Sequence, residues 1–209
     1  VYSYFVDYVN KNTVFFHNLK EKMDYLIKNE YYINFYDMYK FEEIKEVFKM
    51  VYAKKFRCAS FMSASKFYQS YALKDDTEEK FLERYEDRIS IVSLYLAQGN
   101  VEKAKEYAEM LINQEYQPAT PTFLNSGKLK AGELVSCFLL ETDDSLNSIG
   151  YVQTSSMKLS ALGGGVGINL SKLRGRGDAI KGISNRASGI MPVAKILEDS
   201  FSYAYQLGM

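Results

Sequence analysis

Apolar residues recur at three- and four-residue spacing through most of the first half of the chain. Tyr4, Phe5, Tyr8 and Val9 form one such stripe, and Leu19, Met23, Tyr25 and Leu26 form a second. Phe41, Ile44, Val47, Phe48, Val51 and Tyr52 make a third, interleaved with Glu42, Glu43, Lys45, Glu46 and Lys49. Each is the pattern of a helix with one face turned to a core. Asp75, Asp76 and Thr77 are candidate N-caps for a long helix carrying Phe81, Tyr85, Ile89, Val92 and Leu96, which Gly99-Asn100 stops. Val101 to Glu115 reads as one more, with Ala104, Tyr107, Ala108 and Leu111 inward. Residues 1–116 are thus expected to be a helical N-terminal domain.

After Pro118 the pattern changes. Thr120-Pro121 predicts an extended or turn conformation before the proline, and Asn125-Ser126-Gly127 a turn. Leu134 to Glu141 reads as a strand, with Ser136 and Phe138 on one face and Cys137 and Leu139 on the other. Thr142 to Ser145 predicts a helix start, the triplet Gly163-Gly164-Gly165 its end, and Val166 to Leu170 a second strand. Arg174 to Asp178 follows as a basic, flexible loop, and a last helix runs from Pro192 to about Gln206. Strand, helix, strand is the opening of a parallel α/β arrangement, expected over 117–209.

Composition narrows the class. The 209 residues include 18 Tyr and 13 Phe but no Trp, so the core should be rich in rings. Lysine plus arginine equals aspartate plus glutamate at 26 each, which gives no global support for nucleic acid or an anionic membrane as partner. There is no membrane-spanning run and no signal-peptide layout, and two cysteines do not make a secreted disulfide framework. A cytoplasmic location is expected. The chain begins at Val1 and stops at Met209 inside a predicted helix, so both ends read as cut.

The candidate chemistry lies mainly between Gln117 and Lys181. Cys137, expected to be at least half-buried beside Ser136, admits three readings: structural packing, a nucleophile or a redox thiol. No histidine stands near it in sequence, which weakens the nucleophile reading. The glycine triplet lacks the dinucleotide fingerprint, because Ile168 stands where the last glycine is needed, and no Walker-type Gly-Lys-Ser/Thr follows. It permits either close approach of a ligand to bare backbone or a helix stop with a tight turn. Glu83, Arg84, Glu86, Asp87 and Arg88 read as a solvated helix face laced with ion pairs, the lone His17 as a packed or surface residue, and Cys58 as a small apolar filler.

Four segments together carry a resemblance: LERYEDRISIVSLYLA at 82–97, NQEYQPATPTFLNSG at 113–127, GELVSCFLLETDDSLNSI at 132–149, and LGGGVGINLSKLRGRGDAIKG at 162–182. The chain resembles the large subunit of class I ribonucleotide reductase, on the class Ib branch, over essentially its whole length. The resemblance implies a helical N-terminal domain followed by the beginning of a ten-stranded α/β barrel. It also implies radical-based reduction of ribonucleoside diphosphates. Thr120, Ser136 and Gly165 match substrate contacts, and Cys137 matches one of two thiols that become a disulfide as the 2′-hydroxyl leaves as water. Asp144 matches the residue that meets the sugar of a deoxynucleotide effector, with Ser145 and Leu146 beside it. Arg174 matches an arginine on that effector's phosphates, and Lys181 lies where a further phosphate-binding cation is often found.

The implied partners are a small subunit whose dimetal-tyrosyl centre supplies the radical, a second large subunit, nucleoside diphosphate substrates, and deoxynucleoside triphosphate or ATP effectors. A thioredoxin- or glutaredoxin-type reductant would restore the thiols, and no cofactor is expected on this chain. The family's radical cysteine, second reducing cysteine, active-site Asn and Glu, interior tyrosine pair and C-terminal cysteine pair have no counterpart here, and its ATP-cone is absent or truncated. The chain is therefore expected to be a piece of the subunit, inactive alone. A non-catalytic deoxynucleotide-binding and dimerising module is the alternative, and a helical interaction protein the third reading.

Overall fold

Nine α-helices are seen in the computed structural model, which describes residues 2–77, 79–130 and 132–203. Seven belong to a first compact unit, residues 1–131, and two accompany a small sheet in a second, residues 132–209. The change of sequence pattern falls at 116/117, but residues 117–130 pack with the helices through the buried Phe123.

In the first unit the predicted stripes become α1 (Tyr2–Lys11), α2 (Leu19–Lys28) and α3 (Phe41–Ala53). The inward residues Met23, Leu26, Ile44, Val47 and Val51 are fully buried, as the spacing demands. Asn18 caps α2 by accepting from the Glu21 N–H at 2.9 Å. A helix that the periodicity did not reveal, α4 (Phe61–Ser70), is capped by Ser60. Its apolar stripe is thin: only Ala64 and Phe67 are buried, so the pattern is weak in sequence.

The helix expected after Asp75–Thr77 starts later, as α5 (Tyr85–Ala97), and is followed by α6 (Val101–Ile112). Asp75 closes a turn, its Oδ1 accepting from the Glu79 and Lys80 N–H groups. Phe81 cannot join the helix because its main chain is engaged elsewhere. Its N–H donates to the Asn12 carbonyl at 2.8 Å and its carbonyl accepts from Val14 at 2.9 Å. The cap of α5 is the Asp87 carboxylate, which takes the Arg84 N–H at 2.7 Å.

The charged run on α5 is not a solvated face. Glu83 and Arg88 are both fully buried and paired at 3.3 Å, and Asp87 is buried with Lys22 at 2.5 Å. Glu83 also accepts from the Tyr32 hydroxyl at 2.5 Å and the Leu73 N–H at 2.9 Å. The Arg88 guanidinium donates to the carbonyls of Leu124 and Ser126, so it ties α5 to the C-terminal end of α7 (Thr120–Asn125). Charges buried in this way must be paired and hydrogen-bonded, and these are, apart from one Arg88 nitrogen, Nε. The α7 helix itself corrects the expectation of an extended Thr120-Pro121. A proline in the first helical turn removes an N–H that has no intrahelical partner anyway.

The second unit has β1 (Cys137–Glu141), α8 (Leu146–Ala161), β2 (Gly165–Asn169) and α9 (Met191–Tyr203). The strands pair in parallel, and α8 is the crossover that such a pairing requires. The first strand is shorter than the predicted 134–141, and the expected end of α9, residues 204–206, lies outside the described residues. Ser145 caps α8 as predicted, accepting from the Ser148 N–H at 3.1 Å. Buried Val152 and Leu197 and a Gln153-to-Ser200 hydrogen bond of 2.9 Å hold α8 to α9. Residues 174–178 are tied rather than loose: Asp178 accepts from the Gly175 N–H at 2.6 Å, and Arg176 bridges to Ser188. No helix among the described residues is long and apolar enough to cross a membrane.

Two expectations about stability follow from the buried charges. Replacing Arg88 by Met strands the Glu83 carboxylate, and chemical denaturation should show a loss of about 3–5 kcal/mol. Lys128, whose amine lies 3.4 Å from the Tyr71 carbonyl, is pushed down to about 8 by burial. An unfolded lysine holds its proton up to about 10.5, so between those pH values the unfolded chain binds more protons and stability rises with pH. Above about pH 10 burial of Tyr32, Tyr52 and Tyr68, which raises all three, acts in the opposite sense. The denaturation midpoint of wild type should therefore gain on that of Lys128→Met from about pH 8 to about pH 10; a pH-independent difference would contradict this.

Candidate functional site

The parallel register of the second unit sets Cys137 directly opposite Gly165. The Gly165 N–H donates to the Ser136 carbonyl at 2.8 Å, so three of the sequence-predicted residues meet at the start of the two strands. The Ser136 hydroxyl lies 3.5 Å from the Cys137 sulfur. Cys137 is exposed, contrary to the expectation of a half-buried thiol, because alternation along β1 turns Phe138 and Leu140 inward and Cys137, Leu139 and Glu141 outward.

The three glycines have separate tasks. Gly163, at φ +91°, is the left-handed residue that stops α8. At Gly164 an added Cβ would fall 2.1 Å from the Phe138 ring, so the bare backbone there is covered by an aromatic side chain. Gly165 is already in the sheet, with its N–H spent on Ser136. The triplet is therefore a helix stop and a packing contact, and it leaves a position without a side chain next to the Cys137 sulfur. It is not a nest of free N–H groups.

A second cluster lies at the other end of β1. Arg174 Nε donates to Asp144 Oδ2 at 2.6 Å, and its Nη1 donates to the Ala179 carbonyl at 3.2 Å. Lys172 meets Glu141 at 3.0 Å and Asp143 at 3.1 Å. Ser145 follows Asp144 as the cap of α8, and Leu146 is the first helical residue, with its side chain 86% exposed. Lys181 stands in a tight turn closed by mutual hydrogen bonds of Ile180 and Ile183 at 3.0 Å, with φ +49°. The Arg174 contact to Ala179 anchors the loop that carries it. Asp144, Ser145 and Arg174 are thus brought together, while Lys181 has no described contact with them.

Thr120 belongs to the helical unit. It is the first residue of α7, exposed, with its hydroxyl 3.1 Å from that of Tyr71 on the wall of a cavity of about 340 Å³. Sequence reading gave Cys58 as filler; it is half-buried between this cavity and another of about 310 Å³, and burial raises its thiol. His17 is a surface residue against Phe15, as expected. The reading also missed a cavity of about 610 Å³ in which Phe15, Phe16, Lys45 and Lys49 surround the Lys22–Asp87 pair. The sequence signal for it was weak, since its lining comes from three separate stretches, 10–22, 45–52 and 84–87.

The chain matches three domain descriptions of one enzyme family. These are "Ribonucleotide reductase N-terminal" over residues 1–56, "Ribonucleotide reductase, all-alpha domain" over 58–131, and "Ribonucleotide reductase, barrel domain" over 135–209. It belongs to the ribonucleotide reductases, as a portion of the large, alpha subunit. Among its curated relatives is "Ribonucleoside-diphosphate reductase subunit alpha" of Bacillus subtilis, 63% identical over the whole of this chain and 30% of the relative's length. The protein of the same name from Mycoplasma pneumoniae is 48% identical over the whole chain and 29% of its own length. The "large chain" of Cryptosporidium parvum is 36% identical over 67% of this chain and 17% of its own. The chain thus spans less than a third of the length of these relatives. The helical unit and the β1–α8–β2 beginning of the barrel are the fold that the sequence predicted.

The geometry makes the two thiols unequal. Cys137, exposed on a strand edge, should be alkylated by iodoacetamide well before Cys58, which is half-buried and raised. Time-resolved labelling with peptide mapping checks this, and equal rates would contradict it.

Proposed function

We propose that this chain supplies part of the substrate site, one redox thiol and the allosteric specificity site of a ribonucleoside-diphosphate reductase. Support for the redox role comes from one observation, the placement of the exposed Cys137 sulfur opposite a residue with no side chain. A ribose can approach a thiol only where nothing projects beside it, and a strand fixes the sulfur better than a loop. In the proposed step Cys137 and a second thiol of the complete subunit give up two electrons and two protons and join as a disulfide. The ribose 2′-hydroxyl leaves as water and a C–H bond takes its place. The small subunit supplies the radical that makes this bond cleavage feasible, and a dithiol reductant returns the disulfide to two thiols. Thr120, Ser136 and Gly165 are the residues of this chain that contact the nucleoside diphosphate.

The effector reading rests on Asp144, Ser145, Leu146, Arg174 and Lys181. A carboxylate accepts from a sugar hydroxyl, and a guanidinium and an ammonium suit a triphosphate. The clustering of Asp144 and Arg174 at the start of α8 also favours the alternative, in which this chain alone is only a deoxynucleotide-sensing and dimerising module. On its own the chain is expected to show no turnover when a small subunit is added.

One pair of variants separates the roles. In the complete alpha subunit, Cys137→Ser should abolish reduction and leave dTTP binding by calorimetry unchanged. Asp144→Ala should weaken dTTP binding by about tenfold or more, the loss of a charge-assisted hydrogen bond. Full activity of Cys137→Ser would remove the redox reading, and unchanged binding by Asp144→Ala would remove the effector reading.

A further inference from the structure

The Tyr71 hydroxyl stands 3.1 Å from Thr120 Oγ1, and the fold fixes the tyrosine that carries it. Tyr71 closes α4: its N–H donates to the Phe67 carbonyl at 2.8 Å, and its own carbonyl lies 3.4 Å from the Lys128 amine. Its ring meets Phe123 edge to face, with centroids 5.7 Å apart. Phe123 is buried and sits one turn along the same short helix that begins with Thr120. The ring, its hydroxyl and the threonine are therefore locked to one another through α7. Tyr71, Thr120 and Phe123 all border the 340 Å³ cavity, whose polar lining includes Lys66, Gln114 and Gln117.

We propose that Tyr71 is a positioning residue for the diphosphate of the substrate, acting through Thr120. This rests on the reading of Thr120 as a substrate contact. A phosphate oxygen only accepts hydrogen bonds, so Thr120 must give it its single hydroxyl hydrogen. The Tyr71 hydroxyl is then the donor to Thr120 Oγ1. The two hydroxyls form a directed chain, tyrosine to threonine to phosphate oxygen, in which each bond polarises the next. A threonine hydroxyl without such a neighbour turns freely, and donation to phosphate competes with donation to water. Tyr71 touches neither the sugar nor the thiols in this scheme. It strengthens binding equally in the ground and transition states, so its removal changes KM and spares kcat.

The test is steady-state kinetics of the complete alpha subunit with its small subunit and a nucleoside diphosphate. Tyr71→Phe keeps the ring on Phe123 and removes only the hydroxyl. It should raise KM about 3- to 10-fold, the worth of one neutral hydrogen bond, with kcat held within about twofold. Thr120→Val should raise KM at least as much, and Thr120→Ser should retain sensitivity to Tyr71→Phe. The double variant Tyr71→Phe with Thr120→Val should be no worse than Thr120→Val alone, because the tyrosine then has nothing to orient. A raised KM in Thr120→Val with an unchanged one in Tyr71→Phe would overturn the role of Tyr71 and leave Thr120 standing, as would additive effects in the double variant. An unchanged KM in Thr120→Val would bring down the substrate reading of Thr120, and the role of Tyr71 with it.

Discussion

The main-chain pairing of β1 with β2 is the constraint on which the proposed chemistry of this chain depends. Parallel pairing fixes the register, so Cys137 faces Gly165 and cannot slide to another partner without turning the whole strand over. A shift by one residue would bury the sulfur and expose Phe138. Phe138 prevents that shift, because its ring already fills the space that only a glycine at position 164 leaves open. The α8 crossover between the strands is held in turn by its Ser145 cap at one end and Gly163 at the other. The thiol, the bare position beside it and the carboxylate–guanidinium pair at the far end of β1 are thus consequences of a single βαβ unit.

The helical unit solves a different problem. Its core is built from rings and branched aliphatics, yet Glu83, just before α5, and Asp87 and Arg88 on it are buried there. Burying charge is unfavourable, and the compensation here is a network that reaches several elements: Tyr32, Leu73, Lys22 and the carbonyls at the end of α7. Arg88 in particular stitches the Leu124–Ser126 segment to α5. Thr120 stands at the start of the same short helix, so the position of a proposed substrate contact is coupled to the buried ion pair.

Much of this was legible in the residues. Stripes with several large apolar residues, as in α2, α3 and α6, gave their helices because tertiary packing follows the 3.6-residue period. The Ser145 cap and the strand–helix–strand order were legible for similar local reasons. The charges of α5 were not, because a run of Glu, Arg and Asp reads as solvated unless its partners, distant in sequence, are known. The start of α5 was misplaced because Phe81 continues the helical period while its backbone is committed to Asn12 and Val14. Family resemblance singled out Cys137 and Gly165, but composition alone could not show that the N–H groups of Gly163 and Gly165 are spent inside the fold. Tyr71 carried no motif at all; only the folded chain sets its hydroxyl beside Thr120.

The central claim, that Cys137 is a reducing thiol facing the ribose, can be read from one reaction. The pre-reduced complete alpha subunit is mixed with its small subunit and a nucleoside diphosphate, with no external reductant, and free thiols are then alkylated and mapped by mass spectrometry. The account predicts that Cys137 becomes resistant to alkylation, in a disulfide, in proportion to the deoxynucleotide formed. Product formation with Cys137 still fully alkylated would contradict it.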